Sequence, residues 1–197
     1  ITMEMAIGTF EYYLIAINIL GFILYGINTL LYRFTENGQI DTVLTITSLL
    51  GGSLGIVLCI LLFDRKSVKQ NMMSRVFIAC VFVVQTIVYL YIKGIHGENI
   101  SLAFWDFFEK NKLLLFYFIA INIITFIAFG VDKQKAIEQK SRIRIITLLG
   151  LSFIGGAIGG WIAMYTFRHK TKKDYFTVGL PLIVLMHIVV ILYLMNL

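Results

Sequence analysis

The chain has 197 residues, 59% hydrophobic and 14% charged, with a single proline and a formal net charge of +6. So much apolar surface excludes a water-soluble domain of this length and leaves little room for a further sizeable soluble domain, so the class is a polytopic membrane protein. The basic excess lies in short segments between apolar runs, where topology and anionic headgroups account for it, so nucleic acid is not an expected partner.

Six apolar runs, near residues 10–32, 42–63, 75–93, 113–131, 145–167 and 176–196, each approach the roughly 20 residues that a helix needs to cross a bilayer. Nothing alternates like a barrel strand, so the spacing predicts an all-α membrane protein with six transmembrane helices. Glu4 and Glu11 flank the start of the first run and no small-residue cleavage site follows it, which reads as a span and not as a signal peptide. Tyr12, Tyr13, Tyr32, Tyr89, Tyr91, Tyr117 and Tyr193 fall near the proposed ends, as an interfacial aromatic belt would. Cys59 and Cys80 sit inside apolar runs and read as small buried hydrophobes.

Asn18, in the first run, carries an amide that is not expected to face lipid and reads as an interhelical hydrogen-bonding group. The second run holds Gly51, Gly52 and Gly55, whose spacing makes a small-residue face for close helix packing. Residues 94–112 form a linker in which Phe104, Trp105 and Phe108 alternate with Asp106, Glu109 and Lys110. That pattern predicts a short amphipathic helix in the headgroup layer, with Ser101 as its cap.

After the linker the pattern returns at a constant offset of 104. Tyr13 recurs as Tyr117, Asn18 as Asn122, Gly51-Gly52 as Gly155-Gly156, Gly55 as Gly159, Phe63 as Phe167 and Lys66 as Lys170. Gly160 extends the second glycine set. The chain therefore divides into a first three-helix repeat over 1–93, the linker 94–112, and a second three-helix repeat over 113–197. Three crossings per copy is an odd number, so the copies are expected to lie inverted, an arrangement found in many secondary transporters. The fifth and second runs are then expected to cross near the pseudo-two-fold axis.

Under that topology nine basic residues flank the N-terminal side, among them Arg65, Lys66, Lys69 and Arg75, against eight on the other side. Both termini are expected in the cytoplasm. One loop is left pointing outward against the usual bias: Arg168-His169-Lys170-Thr171-Lys172-Lys173.

That loop is the densest polar constellation in the chain. Arg168, Lys170 and Lys173 can hold an anion, Thr171 supplies a hydroxyl, and His169 can couple protons. The plainer reading is a basic anchor for headgroups. Asp132-Lys133 follows Gly130 at the end of the fourth run, and its carboxylate is expected to pair with Lys133 or Arg142. His187 lies inside the sixth run with no histidine at the equivalent place, where Gln85 stands nearby. It is either functional or structural. No catalytic set, cofactor fingerprint or metal spacing can be assembled; His96, His169 and His187 are too scattered.

Ile121-Asn122, Phe129-Gly130, Asp132-Lys133, Gly155-Gly156, Gly159 and the Phe167–Lys173 run resemble a family of small bacterial membrane proteins known as domain of unknown function 1294. The resemblance covers about residues 113–196 and is weaker in the first copy, which has Asn28 for the aspartate and Asp64-Arg65 for the Arg-His pair. It implies the fold and a bacterial origin but no activity; the expected location is the inner or plasma membrane. The usual single-copy unit implies pairing, so a homo-oligomer or a larger membrane complex stays open. The expected function is binding or passage of a small anionic solute, with membrane lipids as further partners. A membrane enzyme acting on lipid headgroups and a scaffold subunit are the alternatives. The enzyme reading rests on the Arg168-His169 pair ahead of Tyr175.

Overall fold

The computed structural model describes residues 8–34, 41–63, 72–97 and 101–197. Glu4, Glu36, Asp64, Arg65, Lys66, Ser67 and Lys69 lie outside the described residues. The chain divides into two compact units, 1–85 and 86–197. All regular elements among the described residues are helical: α1 (Thr9–Phe34), α2 (Asp41–Thr47), α3 (Ser53–Phe63), α4 (Met72–Ile92), α5 (Phe104–Lys110), α6 (Lys112–Ile137), α7 (Ile145–Leu151), α8 (Ala157–Thr166), α9 (Asp174–Thr177) and α10 (Gly179–Met195). Six stretches among the described residues are long and apolar enough to cross a membrane: Thr9–Leu31, Thr42–Phe63, Met72–Ile92, Lys112–Ile137, Ile145–Thr166 and Asp174–Met195. The protein is a multi-pass membrane protein.

Length and composition do not settle how a stretch runs, and in the second unit one of the six folds back. Drawn straight, the 22 residues Ile145–Thr166 would reach about 33 Å. Instead both flanks of the stretch meet a single carboxylate. The Ile143 N–H donates to Asp132 Oδ1 at 2.9 Å, and His169 Nε2 lies 2.8 Å from Asp132 Oδ2. Contacts between α6 and α8 ascend together: Tyr117 with Ile154, Asn122 with Gly159, and Asp132 with His169. Ascending pairs mean that α8 runs parallel to α6, so α7 runs the opposite way. The stretch is a helical hairpin with arms of 7 and 10 residues.

The tip falls at Gly155, whose φ of +134° is a backbone conformation that L side chains rarely adopt. Reversing a helix inside a membrane orphans the last carbonyls of the incoming arm, and no water is there to take them. Side chains do so. Tyr117 Oη donates to the Ile154 carbonyl at 2.5 Å, Asn122 Nδ2 to that of Gly155 at 2.9 Å, and His187 Nε2 lies 2.8 Å from that of Phe153. Asn122 Oδ1 also accepts the Gly159 N–H at 2.7 Å, which seats the outgoing arm.

The first unit is built the same way. Tyr13 Oη donates to the Leu50 carbonyl at 2.6 Å, and Asn18 Oδ1 accepts the Gly55 N–H at 2.8 Å. Gly51 takes φ +112° at the tip. Gln85 Nε2 reaches the Ser48 and Leu49 carbonyls at 2.6 and 3.1 Å, and its Oε1 accepts the Ser53 hydroxyl. Tyr25, Leu44, Ile56, Cys59 and Ile78 form a buried core cluster in this unit.

Two expectations change with this geometry. The unit offers two full-length helical legs and a fold-back, so three crossings per unit, from which inversion was inferred, do not follow from the six apolar stretches. The glycine faces, expected to serve a crossing between the second and fifth runs, make their closest approaches inside their own units. A Cβ on Gly55 would strike the Asn18 carbonyl, one on Gly159 the Asn122 carbonyl, and one on Gly156 the Thr125 side chain. One on Gly160 would come within 3.0 Å of Ser152 Oγ.

In the second unit α10 returns antiparallel to α6. Phe176 packs on Phe129 with ring centroids 5.3 Å apart, and His187 on Phe118 at 6.4 Å. At the far end the Gly97 N–H donates to the Asn196 carbonyl at 2.5 Å, and Tyr193 Oη to that of Ile95 at 2.9 Å. Ile95, Gly97 and Ser101 therefore share one end with Asn196, and the loops 138–144 and 167–173 share the other. α5 begins later than expected. Ser101 Oγ accepts the Ala103 N–H at 3.2 Å, and no side chain caps the helix.

Candidate functional site

The site is the loop end of the second unit, organised by Asp132. The residue lies within α6, not beyond it, because the helix continues to Ile137. Its side chain has no exposed surface. A buried carboxylate needs compensation, and three donors supply it. Lys170 Nζ lies 2.7 Å from Oδ2, His169 Nε2 2.8 Å from the same oxygen, and the Ile143 N–H 2.9 Å from Oδ1. Lys170 Nζ also sits 5.0 Å from the centroid of the fully buried Phe176 ring, a favourable place for an ammonium.

The expected partners of Asp132, Lys133 and Arg142, do not pair with it. Lys133 is the next residue on the helix and projects about 100° away, and Arg142 is exposed. The true partners lie 37 and 38 positions along, in a loop that only the fold-back brings within reach.

The backbone delivers them. α8 ends in a Schellman arrangement, with Arg168 N–H on the Tyr165 carbonyl at 3.1 Å and His169 N–H on that of Met164 at 3.0 Å. The left-handed position, usually glycine, is Arg168 at φ +45°, and Lys170 follows at φ +63°. Two non-glycine residues in this region cost on the order of 1–2 kcal/mol each. The Asp132 contacts offset that strain. Phe167 packs on Phe126 at 5.1 Å, and a Cβ on Gly130 would meet its ring at 3.1 Å, so the glycine makes room for it.

His169 and Lys170, expected at an anion, are thus directed at Asp132. Arg168, Lys172 and Lys173 are exposed, Thr171 and Lys133 half-buried. Among the described residues Arg168, Lys172 and Lys173 form no ion pair. Glu138 is engaged as well: Lys140 at 2.7 Å, helped by Gln134 at 2.9 Å, holds its carboxyl below the usual glutamate range. In the first unit Asn28 stands where Asp132 stands in the second, and it too is buried.

Asn18, Asn122 and His187 hold the hairpin tips, which accounts for their polarity inside apolar runs. Tyr13 and Tyr117, read as belt residues, and Gln85 serve the same tips. In both units the tyrosine and the asparagine each meet a hairpin group 37 residues further along the chain.

A family model described as protein of unknown function, DUF1294, matches residues 122–176. That stretch starts at the tip-holding Asn122, takes in the hairpin and Asp132, and ends at the ring beneath Lys170. The uncharacterised protein YsdA of Bacillus subtilis (strain 168) is 40% identical over 75 residues, which cover 38% of this chain and 84% of that protein. No solved structure matches the chain.

Proposed function

Since the chain belongs to the DUF1294 family of proteins of unknown function, we propose that it is an integral membrane protein that binds an anionic group of the phosphate type at the loop end of its second unit. One observation carries this reading: Asp132 ties the flank of α7 and the flank of α8 to the same point. Nine basic residues, Lys133 to Arg144 and Arg168 to Lys173, are thereby gathered at one end. Asp132 is consumed internally by Lys170, and Glu138 by Lys140. Cations without acidic partners are what an anion requires, and the Arg168 guanidinium offers the planar fork that suits phosphate oxygens.

In this reading Asp132, His169 and Lys170 position the loop, and Arg168, Lys172 and Lys173 meet the ligand. Passage of a small anion across the plasma membrane is the stronger form of the proposal, and it requires the hairpin tip to move. Titration calorimetry of inorganic phosphate and sulfate against the purified protein tests binding, and liposome flux tests passage. Arg168→Ala is expected to weaken binding about tenfold or more, in line with the loss of a charge-assisted contact. Identical heats and identical leakage for wild type, variant and protein-free controls defeat the proposal.

A further inference from the structure

We infer that the anionic group is the headgroup phosphate of an acidic phospholipid in the cytoplasmic leaflet, held where the exposed cations cap an apolar lane on α8; this rests on the anion-binding reading above. Ile154, Ile158, Ile162 and Tyr165 are each between 52% and 58% exposed. On the helix Ile158, Ile162 and Tyr165 fall at i, i+4 and i+7, so they share a face. That face ends three residues before Arg168, with Lys172 and Lys173 beyond it. Val178, opening the return leg, and Ile146, opening the hairpin, are also more than half exposed.

A free anion has no use for an apolar wall beneath its cations. A diacyl lipid uses both: its chains lie along the lane and its phosphate reaches the guanidinium and ammonium groups. The cluster lies between the end of α8 and the start of the return leg, and the ends of membrane-spanning helices meet the headgroups.

The side follows from charge. The loop end carries nine basic residues and the opposite end of the same unit three, Lys93, Lys110 and Lys112. The fold-back puts Arg168–Lys173 beside Lys140–Arg144, and the charge asymmetry orients that end to the cytoplasm, where acidic lipids are enriched. Asn196 and the linker then face the other side, in place of the cytoplasmic C-terminus expected from three crossings.

The test is binding of fluorescent phosphatidylglycerol and phosphatidylcholine to the full chain in neutral detergent. The proteins compared are wild type, the triple variant Arg168→Gln, Lys172→Gln, Lys173→Gln, and the opposite-end control Lys110→Gln, Lys112→Gln. Phosphatidylglycerol is expected to bind more tightly than phosphatidylcholine, to weaken with added salt, and to lose at least about tenfold in the triple variant but not in the control. The salt series on wild type decides even where the triple variant folds poorly. Equal binding of the two lipids, salt-insensitive binding, or an unaffected triple variant overturns the assignment. Complete displacement by an equimolar amount of soluble glycerol phosphate also overturns the lipid assignment, and it leaves the anion site standing. Absence of binding by every anionic probe removes both.

Discussion

Asp132 and Ile143 are joined by a 2.9 Å hydrogen bond from backbone N–H to carboxylate, and through it the entry arm of the hairpin is fastened to the residue that also holds its exit. Removing the carboxylate leaves the Lys170 ammonium in a site where its side chain is 14% exposed, with no counter-charge. Asp132→Ala is expected to cost about 3–5 kcal/mol, as for other broken buried pairs. Asp132→Asn combined with Lys170→Met is expected to recover more than half of that loss, because the orphaned charge goes as well. Thermal unfolding in detergent reads both. A wild-type melting temperature for Asp132→Ala contradicts the tie.

The glycines of the hairpin arms make a sharper contrast. Gly159 lies so close to the Asn122 backbone that a methyl group has no room, whereas Gly150, within α7, has no atom within 4 Å of an added Cβ. Gly159→Ala is expected to destabilise by about 3 kcal/mol through overpacking. Gly150→Ala should gain about 0.5–1 kcal/mol from helix entropy. Equal effects of the two substitutions would argue against the close approach of α8 to α6.

His187 holds the Phe153 carbonyl at 2.8 Å, as Gln85 holds the equivalent Leu49 carbonyl in the first unit. His187→Leu orphans that carbonyl and is expected to cost about 1–3 kcal/mol. His187→Gln is expected to recover part of it, since an amide does the same work at Gln85. A leucine variant as stable as wild type would return His187 to the list of functional candidates.

Arg168 occupies a left-handed backbone position that glycine takes without strain. Arg168→Gly should raise stability by about 1 kcal/mol while weakening anion binding. A variant that loses both would place the guanidinium in the scaffold.

Much of this was legible in the chain. The apolar runs marked the helical stretches, the offset of 104 paired Asn18 with Asn122 and the two glycine sets, and the Phe167–Lys173 run stood out as polar. The fold-back was not legible, because two apolar arms of 7 and 10 residues with the 5 residues between them have the length and hydropathy of one 22-residue crossing. Gly155 in mid-run reads equally as packing or as reversal. The partners of Asp132 were missed for the same reason: with the run drawn as a crossing, Lys170 belongs on the opposite face of the bilayer. The outward-pointing basic loop was the one conflict in that drawing, and a fold-back of residues 145–166 would remove it.

The most direct measurement is thiol labelling of Ser141→Cys and Lys172→Cys in membranes of known orientation, in a background with the buried Cys59 and Cys80 replaced, and with Ser101→Cys as the reference. A re-entrant hairpin requires Ser141→Cys and Lys172→Cys to react from the same side and Ser101→Cys from the other. Reaction of Ser141→Cys and Lys172→Cys from opposite sides means that residues 145–166 cross the bilayer, and the gathered basic end does not exist.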